Sequence, residues 1–122
     1  MITWYYAKDL DQVMNESKQS NKPILILFQE IPGCSGCKNY GKNVLSSQLI
    51  HQLITANFIP LAVYNNRGGK DAEILGKFNE PSWNYPVLRI VDCNLKTIAD
   101  RLDKVYTVEG VQAYLQAAMK KK

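Results

Sequence analysis

Residues 24–28 read Ile-Leu-Ile-Leu-Phe, an apolar run with no polar position in it. A strand with one face in solvent alternates apolar and polar residues, because successive side chains point to opposite faces. An unbroken run therefore predicts a strand covered on both faces, and so a sheet with helices on each side. Residues 58–64, Phe-Ile-Pro-Leu-Ala-Val-Tyr, repeat the pattern, with Pro60 predicting an irregular start. Both runs are far shorter than the roughly 18 residues that cross a bilayer, so no membrane partner is expected.

The stretches around these runs have helical spacing. Leu10, Val13, Met14 and Ser17 recur on one face of residues 9–20, and "SNKP" at 20–23 stops the helix. Cys37, Tyr40, Val44 and Leu45 form a second stripe. Ser46 or Ser47 then caps a helix over 48–57 with Leu49, Ile50, Leu53 and Ile54 on one face. "NNRGGK" at 65–70 is a loop, and Ile74, Leu75 and Phe78 mark a short helix. Residues 85–92 and 95–102 read as strands joined tightly around Cys93. Thr107 caps a last helix whose Val111, Tyr114, Leu115 and Ala118 face inward.

With a short first strand at residues 2–6, the order is β-α-β-α-β-α-β-β-α. Parallel crossovers are expected between helix-separated strands, with an antiparallel hairpin near the end. The fold class is α/β, a single mixed sheet with helices on both faces.

A chain of 122 residues, 46% hydrophobic, has material for one core and too little for two. Its net charge is +4, of which Lys120, Lys121 and Lys122 supply three, leaving 4 − 3 = +1 for the body. Nucleic-acid surfaces cluster basic side chains on one face, whereas these charges alternate in sign, so no nucleic-acid partner is expected. A monomer is expected. Residues 1–11 show neither a basic start nor an apolar leader block, which predicts a cytoplasmic protein. The periplasm is the alternative if a leader has been removed.

The sharpest chemical signal is "IPGCSGCK" at 31–38, with Cys34 and Cys37 three positions apart. The pair falls in the turn between a central strand and the next helix, and open α/β sheets gather their active groups at the carboxyl ends of strands. A helix start offers unsatisfied N–H groups and the positive end of the macrodipole, which stabilise a thiolate. Cys34 at the helix start suits attack, and Cys37, one turn further in, suits resolution. Lys38 and Lys42 add positive charge nearby.

Other readings compete. A structural zinc site needs four ligands, and only Cys93 and His51 remain to complete one. His51 falls on the polar side of its helix, so no metal is expected. Cys93 reads as an incidental, partly exposed thiol in a hairpin turn. The loop at 65–70 lacks the full phosphate-binding pattern, leaving anion binding at the following helix start as a weaker alternative.

The sequence resembles the thioredoxin superfamily in "KPILILF" at 22–28, "CSGC" at a helix start, "YPVLRIVD" at 85–92 and the element order. Among its branches it is most similar to the thioredoxin-like domains of bacterial thiol:disulfide interchange proteins. Those have a similar "NKP" lead-in and a similar "VLSSQLIHQLITANFIPL" pattern after the active site. The resemblance implies a thioredoxin-like domain, taken over residues 1–119, and the three terminal lysines read as a basic tail at 120–122. It implies Cys34 as nucleophile, Cys37 as resolving thiol, a cis Tyr85-Pro86 bond, and substrate backbone pairing just before Pro86.

The sequence also departs from the family. Gly33 stands where a Trp usually precedes the first cysteine, and Trp83 is the candidate aromatic wall in its place. The strand position of the buried Asp of thioredoxins is apolar here, at Leu27 and Phe28, and Glu30 is the nearest carboxylate. The expected catalytic set is therefore Cys34, Cys37 and Glu30, with Gly33, Trp83, Tyr85 and Pro86 binding substrate. The expected activity is thiol-disulfide exchange with protein thiols or disulfides and a separate redox partner, without a cofactor. The alternative is a non-catalytic adaptor holding an extended peptide near Trp83, Tyr85 and Pro86.

Overall fold

Ile24, Leu25, Ile26, Leu27 and Phe28 are each at most 3% exposed in the computed structural model, which describes residues 4–29, 47–64, 68–78, 87–103 and 107–121. They form β2 (Ile24–Gln29), and the strand's alternation divides them between two cores. Leu25 and Leu27 pack with Ile50, Ile54, Val111 and Leu115, from α2 (Gln48–Asn57) and α4 (Val108–Lys121). Ile24, Ile26 and Phe28 pack with Leu10, Val13, Ile74 and Leu75, from α1 (Leu10–Ser20) and α3 (Lys70–Lys77). The continuous apolar run is thus a central strand between two helical layers.

The sheet has the order β1-β3-β2-β4-β5, where β1 is Tyr5–Tyr6, β3 Ile59–Tyr64, β4 Val87–Val91 and β5 Thr97–Asp103. β1, β3 and β2 are parallel, β4 runs antiparallel to β2, and β5 runs antiparallel to β4. A short 3-10 turn, Ala7–Asp9, links β1 to α1.

Local chemistry sets the element ends. Asn21 terminates α1 in the left-handed region at φ 60°, a common helix stop. Ser17, 4% exposed, donates from Oγ to the Lys22 carbonyl and ties the stop to the start of β2. In the hairpin turn, Asp92 Oδ1 accepts from the amides of Asn94 at 2.8 Å and Lys96 at 2.9 Å. Thr107 Oγ1 accepts from the Gly110 amide at 3.1 Å, the expected cap of α4. Positions 120 and 121 prolong that helix.

Three expectations are corrected. Pro60 lies within a regular strand, paired with Leu25. Ile59 N donates to Pro23 O toward β2, so position 60 turns its missing N–H toward β1, whose described pairing begins only at Leu61. Leu49 is 42% exposed, while Ile50 and Ile54 are fully buried. At 3.6 residues per turn, Leu49 lies about 90° from the centre of the face formed by Ile50, Leu53 and Ile54.

The third concerns the connection from β3 to β4, which is not a parallel crossover. α3 starts beside the end of β3, where the Tyr64 amide donates to Asp71 Oδ1 at 2.9 Å. It ends beside β2, where Phe78 meets Phe28 edge-to-face at 6.1 Å. Its eight residues, about 12 Å of helix, carry the chain across the sheet rather than down it. β4 therefore starts at the end where β3 finished and runs the opposite way. The helix expected over residues 37–45 lies outside the described residues.

Candidate functional site

The carboxyl ends of β2 and β3 lie side by side, with Gln29 paired to Tyr64. At the same end of the sheet, β4 begins with Val87 paired to Phe28. The segment 30–46 follows β2 from this point, and 79–86 leads into β4 at it. Two stretches far apart in sequence are therefore tethered to neighbouring strands at one end of the sheet. The expected site residues themselves, Glu30, Gly33, Cys34 and Cys37 in one stretch and Trp83, Tyr85 and Pro86 in the other, lie outside the described residues.

The floor beneath these tethers is apolar. Phe28 is 1% exposed and has the Phe78 ring against it. Arg89 faces the same core from β4, its Cζ 5.4 Å from the centroid of the Phe78 ring and Nη2 donating to the Phe78 carbonyl at 3.3 Å. The strand sequence Val-Leu-Arg-Ile-Val held a signal for this arrangement: one arginine inside an apolar run requires a partner. Tyr6 and Tyr64 stack at 5.9 Å at the same end of β1 and β3.

Cys93 is a free, half-buried thiol in the turn after β4. β4 ends at Val91, which pairs with Ile24, whereas the Cys34 segment follows the far end of β2. Five strand intervals, about 17 Å, separate those levels of the sheet. Cys93 thus borders the opposite end, near Lys18, Lys22 and Asp92.

Among the described residues, no group of three or more His, Cys, Asp or Glu could hold a metal. No described helix is long and apolar enough to cross a membrane. The first turn of α3 carries Asp71 and Glu73, whose negative charge opposes anion binding there. The Tyr5 hydroxyl donates to Glu16 Oε1 at 3.0 Å. This hydrogen bond, with a contribution from burial, raises the phenol above its ordinary pKa of 10.0.

Residues 3–93, well over half of the 122, match the model of a family described as Thioredoxin-like. The chain belongs to that family. The matched part of this thioredoxin-like chain runs from before β1 into the β4–β5 turn and includes the Cys34–Cys37 pair.

Its fold is shared with several solved structures. A structure titled "DsbH Oxidoreductase" superposes with a TM-score of 0.77 at 19% identity, covering 99% of this chain and 86% of that one. A thioredoxin from Thermus thermophilus gives a TM-score of 0.71 at 16% identity, covering 98% and 89%. The C-terminal domain of Neisseria meningitidis DsbD, in its oxidised form, gives 0.67 at 18%, covering 94% and 98%. No curated protein sequence matches the chain.

Proposed function

We propose that this thioredoxin-like protein is a thiol-disulfide oxidoreductase acting on protein thiols or disulfides through a mixed disulfide. The carrying observation is the position of the "CSGC" stretch in the chain, five residues after Gln29 ends β2, within a chain of this family. The tethering of 79–86 at the same end of the sheet supports a substrate-binding role for Trp83, Tyr85 and Pro86.

Cys34 thiolate attacks one sulfur of a substrate disulfide. A Cys34–substrate disulfide forms, and the other substrate sulfur leaves as a thiolate. Cys37, deprotonated with Glu30 as acceptor, attacks Cys34 sulfur and releases the second substrate thiolate. Two electrons pass from the cysteine pair to the substrate, and the resulting Cys34–Cys37 disulfide is reduced again by an external dithiol. The reverse sequence oxidises a substrate dithiol.

Equilibration of the protein with mixtures of reduced and oxidised glutathione tests the reading. A two-electron transition of Cys34 and Cys37, separate from Cys93, is expected. Two independently titrating thiols would favour the adaptor reading instead.

A further inference from the structure

β5 is the longest strand among the described residues, and there it is an outer strand, paired with β4 on one side. Its seven residues, about 23 Å of extended chain, would offer a row of backbone N–H and C=O groups to another strand. Its pairing with β4 is irregular. Leu88 pairs with Leu102 and Ile90 with Ala99, so Arg89 faces two residues, Asp100 and Arg101. Ile90 and Val91 are adjacent, yet their partners Ala99 and Thr97 are not, which makes Ile98 a second extra residue.

The apolar positions of β5 account for both irregularities. Unbroken alternation would send residues 98, 100 and 102 to one face, and Asp100 would enter the core beneath α2 and α4. Instead Ile98, Ala99 and Leu102 all pack against that core, while Asp100 and Arg101 are exposed. Residues 99 and 102 share a face because a bulge lies between them. The same bulges act on the outer side of the strand. They bend it, raise its twist and interrupt the even spacing that a further strand would need. Leu102 and Asp103 are the one adjacent pair of β5 residues in one-to-one register with adjacent residues of β4.

We propose that the double bulge guards this edge: it stops a second copy of the chain from adding its own β5 across the sheet. Two identical, regular β5 edges related by a two-fold axis would pair antiparallel and join two sheets into one. The guard lies in backbone spacing rather than in charge, and it is independent of the redox reading.

The test is sedimentation equilibrium of the full chain with reductant present, so that disulfide-linked copies do not form. The wild type is expected to stay monomeric at about 1 mM, where even weak dimers assemble. A variant lacking Arg101 sets Asp100 opposite Arg89 and removes one bulge while Ala99 and Leu102 stay on their face. It is expected to dimerise at least about tenfold more tightly than the wild-type limit, with amide exchange in Thr97–Asp103 slowing as protein concentration rises. Asp100→Thr combined with Arg101→Thr removes the same arginine side chain and both exposed charges but keeps the extra residue. That variant is expected to remain monomeric.

Wild-type dimers with protected β5 amides overturn the proposal. A folded deletion variant as monomeric as the wild type also overturns it. Dimerisation of the double substitution through β5 assigns the guard to charge and overturns it too. Should circular dichroism show that the deletion does not fold, the double substitution decides: a monomer supports the bulge as the guard, and a β5-linked dimer rejects it.

Discussion

Phe28 and Val87 are paired neighbours in the antiparallel ladder of β2 and β4. Gln29 alone separates Phe28 from the segment bearing Cys34 and Cys37, and Val87 directly follows the Tyr85-Pro86 pair. The pairing brings the tethers of the candidate nucleophile and the candidate substrate-binding segment onto adjacent strands, although Cys34 and Pro86 are separated by 86 − 34 = 52 positions in sequence.

Alkylation of the reduced protein near neutral pH is expected to modify Cys34 well before Cys37. The start of a helix stabilises a thiolate, while a position one turn inward is less accessible. Mass mapping of the labelled peptides after brief exposure to iodoacetamide checks the order. Faster labelling of Cys37 would reverse the two roles.

Glu30→Gln is expected to slow resolution of the mixed disulfide by about 100-fold, the lower end of general-base effects, and leave the initial attack nearly unchanged. The amide keeps the size of the side chain and removes its capacity to take a proton. Single-turnover kinetics separate the two steps. Unaltered resolution would assign the proton to water or another group.

Pro86→Ala tests the segment before β4. Proline offers no backbone donor, so alanine introduces an N–H where the chain approaches the strand. Mixed disulfides with protein substrates are expected to persist longer, or substrate to bind less well, in the alanine variant. Quenched-flow sampling of the mixed disulfide distinguishes the two, and wild-type behaviour in both would remove Pro86 from the site.

Not all of this was equally legible in the sequence. β2 was, because its apolar run could be buried only between two layers, and Ile24 to Phe28 are each at most 3% exposed. Val111, Leu115 and Ala118 follow from helical spacing and are fully buried. The reversal at β4 was less legible, since apolar periodicity says that a helix covers a sheet and nothing about whether it runs along or across the strands. Leu49 fits the apolar stripe but lies on its flank, and a hydropathy pattern does not mark the edge of a contact. The Arg89–Phe78 contact depends on tertiary placement; the sequence shows only an arginine that needs a partner. The cysteine pair is the opposite case, visible at once as a motif while Cys34 and Cys37 lie outside the described residues.

Ser17→Ala is expected to destabilise the fold by about 0.5–1.5 kcal/mol, the net worth of one part-buried hydrogen bond. The Ser17 hydroxyl donates to the Lys22 carbonyl immediately before β2. Urea denaturation checks the change, which should appear in the midpoint with no change in slope. Loss of redox activity in the folded variant is not expected.

The alkaline limb of stability should depend on Tyr5. Its phenol pKa is raised above 10.0, chiefly by the hydrogen bond to Glu16, so the folded state holds that proton more tightly than the unfolded chain. This contribution is fully present below the unfolded value and is lost as pH rises through the higher folded value. Denaturation at a series of pH values should show a shallower alkaline decline in Tyr5→Phe. Parallel curves for the two proteins would remove the linkage.

The central claim, that Cys34 makes the covalent bond to substrate and Cys37 releases it, is tested most directly by trapping that bond. Cys37→Ser is to be reduced, freed of reductant and mixed with native, disulfide-bonded insulin, quenched with acid and mapped by mass spectrometry under non-reducing conditions. The expected product is a stable adduct joining Cys34 to an insulin cysteine, absent from Cys34→Ser and transient in the wild type. Absence of an adduct with Cys37→Ser, or one formed through Cys93, would contradict the mechanism.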